Sequence, residues 1–149
     1  MKKVIVFLIV FVGTACNDGF KNQTNALSEV LIDFNITIPT DEHIYILKSN
    51  FNCKGCVQRI FIQIENIVSK EKLSGITIIA SDKKYLSQLF LSQINFIEDV
   101  DNSVGAYFPN SVNLTLIRTK EGKITRFKVL ESTDPEIYKV DVNSFFKKL

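Results

Sequence analysis

His43-Ile44-Tyr45-Ile46-Leu47-Lys48-Ser49-Asn50-Phe51-Asn52-Cys53-Lys54-Gly55-Cys56-Val57 is the stretch that decides the fold. Its apolar run Ile44-Tyr45-Ile46-Leu47 reads as a buried strand. After the C-x-x-C, the residues Cys56, Val57, Ile60, Phe61, Ile64, Ile67 and Val68 recur at helical spacing, which predicts a helix from about Lys54 to Lys70. Strand, short loop and helix N-terminus is the setting in which two thiols at i and i+3 point to redox chemistry. The same pair can also close a disulfide or grip a soft metal.

Outward from that stretch, Ile76-Thr77-Ile78-Ile79-Ala80 predicts a second buried strand. Ser81-Asp82 predicts the cap of a helix with Tyr85, Leu86, Leu89 and Phe90 turned inward. Ile94 to Ile97 predicts a short strand, and Val112–Ile117 and Lys123–Leu130 predict a hairpin around Glu121-Gly122. The tail from Val140 to Leu149 predicts a closing helix with Val142, Phe145, Phe146 and Leu149 apolar, while Leu27 to Ile38 fits helix or strand. This order predicts an α/β domain: a central mixed sheet flanked by helices, with a C-terminal antiparallel hairpin and helix.

The ends bound the rest. Lys2 and Lys3 precede an unbroken apolar run from Val4 to Val12, and Gly13-Thr14-Ala15 leads into Cys16. That run is too short for a membrane-spanning helix, which takes about 20 residues, and reads as an export signal. Small residues followed by cysteine resemble a bacterial lipoprotein lipobox, with Gly13 where an aliphatic residue is usual. The resemblance implies cleavage after Ala15, lipidation of Cys16 and a place in the bacterial cell envelope, with Asn17 favouring the outer membrane. Residues 1–15 are then signal peptide, 16–26 a polar tether and 27–149 the domain.

Lys2 and Lys3 are the only charged residues of the signal. Without them the 18 Lys and Arg fall level with the 16 Asp and Glu, so the remaining chain has no electrostatic case for binding nucleic acid. With Cys16 lipidated, Cys53 and Cys56 are the remaining cysteines of the chain's 3. A bridge closing so short a loop removes little unfolded-state entropy, so the pair reads as reactive rather than as a staple.

From Ile44 to Leu149 the chain resembles the thioredoxin superfamily, closest to TlpA-like thiol-disulfide oxidoreductases. The resemblance rests on the C-x-x-C after a strand, Ala80-Ser81-Asp82 at the end of the second strand, Asp99 to Gly105, and the hairpin Leu116 to Ile124. It implies a thioredoxin-like fold, no cofactor, and disulfide exchange with exported proteins, recharged by a separate redox partner. Two departures stand out. Asn113 occupies the position matching the family's cis-proline, and Asn52 replaces the tryptophan before the first cysteine.

Within this reading Cys53 is the nucleophile, favoured as thiolate by the helix N-terminus, and Cys56 is the resolving thiol. Lys54 adds a nearby positive charge, and Gly55 lets a partner backbone approach closely. Phe51, Tyr107 and Phe108 are candidates to line a substrate groove. The alternative is a non-catalytic thioredoxin-like lipoprotein serving as an interaction or Cu(I)-binding module. Phe51 to Cys56 also resembles the Met-x-Cys-x-x-Cys loop of copper chaperones, which implies Cu(I) on Cys53 and Cys56. That family leaves the hairpin unexplained. The single His43 reads as a strand-start residue, a closed metal site is not expected, and Glu65, Lys70 and Glu71 read as a solvated helix face.

Overall fold

The structure, a computed structural model, describes residues 19–49, 54–109, 114–131 and 134–147. Its strands are β1 (His43–Lys48), β2 (Ile76–Ala80), β3 (Asn95–Glu98), β4 (Leu114–Lys120) and β5 (Lys123–Leu130). They form one sheet in the order β3-β2-β1-β4-β5. β1 pairs in parallel with β2, and β2 with β3; β4 is antiparallel to both β1 and β5. The molecule is therefore α/β, a five-stranded mixed sheet flanked by helices.

Helix α1 (Lys21–Asp33) covers one sheet face, and α2 (Lys54–Glu71) covers the other. Alternation along β1 divides the core between them. Ile44 and Ile46 pack with Val57, Ile60, Phe61, Ile64 and Val68 of α2, whereas Tyr45 and Leu47 pack with Leu27, Val30 and Leu31 of α1. Burial on both sides is why the central strand carries no polar alternation.

The polar residues 21–26, expected in a tether, are the first turns of α1. Side chains at the edge of the sheet hold them there. Phe20 packs on Phe127 with ring centroids 6.3 Å apart, and the Ile124 N–H donates to Thr24 Oγ1 at 3.5 Å. Leu27, Val30 and Leu31 then supply the i, i+3, i+4 stripe that resolves the ambiguity in favour of helix.

The remaining helices are α3 (Gln88–Leu91), α4 (Ser103–Tyr107) and α5 (Pro135–Phe146). α3 is shorter than its sequence suggests. Asp82 Oδ1 accepts from the Lys84 N–H at 3.1 Å in a local turn, and the helix waits for Ser87, whose Oγ accepts from the Phe90 N–H at 3.0 Å. Ser87 Oγ in turn donates to Glu65, which ties the solvated face of α2 to this cap. Phe90 points inward and is fully buried; Leu89, expected inward, is 66% exposed.

α5 begins earlier than its apolar residues suggest, because Asp134 Oδ1 accepts from the Glu136 N–H at 2.9 Å and Pro135 starts the first turn. Its C-terminal carbonyls are satisfied from β5. Arg126 Nη1 donates to the carbonyls of Ser144, Phe145 and Lys147 at 3.0, 2.7 and 3.1 Å. The β4–β5 turn is the two-residue connection expected, with both Glu121 (φ 53°) and Gly122 (φ 73°) left-handed as a tight hairpin requires. Gly75 is also held left-handed, and a Cβ there would lie 3.1 Å from the Glu42 carbonyl oxygen.

His43 bridges strands rather than serving a site: its Nε2 lies 2.8 Å from Thr77 Oγ1, and its ring packs on Tyr45. Burial lowers its pKa, so the folded state favours neutral imidazole. That contribution to stability is present above the ordinary histidine pKa and is lost as pH falls through the lower folded value. The urea midpoint should therefore drop between pH 7.5 and 5.5, and His43→Gln should remove that part of the drop.

Candidate functional site

β1 delivers the chain to the motif at the C-terminal edge of the parallel strands, a usual place for chemistry in open α/β sheets. Its last residue, Lys48, and the following Ser49 are both buried, and α2 begins at Lys54. Phe51, Cys53 and Asn113 lie outside the described residues, as does the lipobox with Cys16. Leu114, the successor of Asn113, pairs with Lys48. β4 therefore starts at the motif end of the sheet.

Cys56 sits on the first turn of α2, half-buried and engaged in a disulfide. The adjacent Val57 is 1% exposed and fixes this face of the helix against the sheet. Gly55 is exposed, and among the described residues a Cβ placed on it would meet nothing within 4 Å. No acidic residue occupies the first turn of α2. No side chain of that turn therefore offsets the partial positive charge of the helix N-terminus, which favours a thiolate.

A charge pair stands at the same edge that the sequence reading did not single out. Lys48 Nζ lies 3.3 Å from Asp82 Oδ2, with the Lys48 side chain 7% exposed and that of Asp82 47% exposed. The signal was available: a lysine closing an apolar strand must either find a partner or break the strand's burial. Asp82→Ala would strand a buried ammonium and should lower stability by about 1–3 kcal/mol, toward the lower figure because Asp82 is half in water. Lys48→Met should be milder, under about 1.5 kcal/mol, since it removes the charge along with its need for a partner. Urea titrations of the two variants check the order.

Beside this edge Asp99, 2% exposed, accepts from the Ser103 and Val104 N–H groups at 2.7 and 3.0 Å. Those bonds nucleate α4, whose last residue is Tyr107. Tyr107 and Phe108, the groove candidates in the loop before the hairpin, lie on the α1 side of the sheet, while α2 lies on the other side. Phe108 is 7% exposed and stacks toward Phe127, and Tyr107 is 38% exposed; both line an open cleft of about 340 Å³ with Ala26 of α1 and Phe127 of β5. His43 lies at the far end of β1. Among the described residues no three His, Cys, Asp or Glu side chains converge as a metal site. No protein-family model matches the chain, and no curated protein matches it.

Proposed function

We propose that this chain is a lipid-anchored, thioredoxin-like thiol-disulfide oxidoreductase that exchanges disulfides with exported proteins through Cys53 and Cys56. The observation that carries the reading is the placement of the C-x-x-C at the junction of the central strand β1 and the first turn of α2, in a β3-β2-β1-β4-β5 sheet. The positive helix end lowers the free energy of a Cys53 thiolate, and Gly55 leaves room for a substrate backbone.

In the reducing direction, the Cys53 thiolate attacks one sulfur of a substrate disulfide. The substrate S–S bond breaks, its second sulfur leaves as thiolate and takes a proton, and a mixed disulfide remains. Cys56, deprotonated, then attacks Cys53, releasing the other substrate thiol and leaving the Cys53–Cys56 disulfide. Two electrons pass to the substrate, and a dithiol partner must return them.

The test is turnover of a model protein disulfide by the purified chain with a dithiol reductant in excess. Acceleration over the reductant alone supports the reading. No acceleration, with stoichiometric Cu(I) binding or without it, overturns it in favour of a binding module.

A further inference from the structure

We infer that the end of the molecule formed by the start of α1 and the β4–β5 turn rests on an anionic bilayer surface, and that the motif end faces away from it. The inference rests on lipidation of Cys16 within the proposed function. α1 starts at Lys21, so residues 17–20 are all that separate the lipidated cysteine from the folded domain. Four residues span at most about 14 Å. The domain is held close to the membrane, and whichever surface surrounds Gly19 meets the bilayer first.

That surface is identified by its contacts. Gly19, Phe20, Lys21 and Thr24 share one open cleft of about 470 Å³ with Gly122, Lys123 and Ile124 of the hairpin. Thr119 of β4 pairs with His43 at the start of β1, so the hairpin turn lies at the opposite end of the sheet from the motif. β1 has 6 residues, which separates the two ends by roughly 20 Å. A 14 Å tether attached beside the turn therefore cannot bring the motif end down to the bilayer unless the domain lies on its side.

The charges around the turn are nearly balanced, with Lys21, Lys120, Lys123 and Arg118 against Glu121, Asp41 and Glu42, and Glu42 faces Arg118 at 3.6 Å. What favours the upright arrangement is the exposed Lys21 at the start of α1. The first turn of α1 has no acidic residue and no side-chain cap. A lysine at a helix N-terminus opposes the helix dipole, and a negatively charged surface relieves both.

Hydrogen exchange on the full lipidated protein tests this, bound to vesicles of phosphatidylethanolamine and phosphatidylglycerol and compared with unlipidated Cys16→Ala in solution. Exchange should slow at residues 19–24 and 120–124 and stay unchanged at residues 54–57 and 98–103. The exposed-site pair Lys21→Glu and Lys120→Glu should abolish that protection while the protein remains vesicle-bound. Protection at the motif end, or none at the turn, overturns the orientation and leaves the anchored enzyme standing. A mass spectrum showing no lipid on Cys16 overturns both the orientation and the anchor.

Discussion

Cys53→Ser should bring turnover of a protein disulfide down to the reductant-only background, whereas Cys56→Ser should stop the reaction halfway. The asymmetry follows from position. In the proposed mechanism Cys53, one residue before α2, is the thiolate favoured by the helix end, whereas Cys56 lies within the first turn beside the buried Val57. Without Cys56 the mixed disulfide has no internal thiol to resolve it and should accumulate as a covalent adduct, cleared by added dithiol. Without Cys53, the half-buried Cys56 should form few adducts. Equal trapping by both variants would contradict the assignment of roles.

Phe90→Ala should lower the free energy of unfolding by about 3–5 kcal/mol, a large share of the 5–15 kcal/mol typical of a domain. Phe90 is fully buried and is the anchor of the four-residue α3; Tyr85, Leu86 and Phe96 join it at the edge of the α2-side core. So short a helix has little stability of its own, and its place is fixed by Phe90 below and by the Ser87–Glu65 tie above. The cavity would open next to β3, the short edge strand. Phe90→Leu, which keeps most of the volume, should lose much less. Urea unfolding checks both; a loss under about 1 kcal/mol for the alanine variant would mean the site collapses freely.

These two cases also mark what could be read in advance. The strands were legible because β2 and residues 44–47 of β1 are β-branched or apolar, and the Glu121-Gly122 pair admits one tight turn. α2 was legible because its apolar stripe runs through 18 residues. Short helices were not. α4 exists because the Asp99 carboxylate gathers two N–H groups, and α3 because Ser87, not Asp82, supplies the cap; several nearby residues offer equivalent hydrogen bonds in sequence. The start of α1 was hidden for a different reason. Its first turns are polar and are held by tertiary contacts of Phe20 and Thr24 with β5, which no local pattern records. At the site, the position of Cys56 on the helix was readable from spacing. The Lys48–Asp82 pair joins residues 34 positions apart through the parallel pairing of β1 and β2. That the cleft lined by Tyr107 and Phe108 opens on the α1 side was not legible, because sequence proximity to the hairpin does not say which face of the sheet a loop covers.

The proposed function requires that Cys53 and Cys56 form a working redox couple rather than a structural bridge. Equilibration of the full chain in a graded dithiol/disulfide buffer, with the thiol state read by alkylation and mass, measures its reduction potential directly. A two-electron midpoint of roughly −120 to −270 mV, the span of thiol-disulfide oxidoreductases, is the predicted result. A midpoint below about −300 mV, where structural disulfides lie, would contradict it.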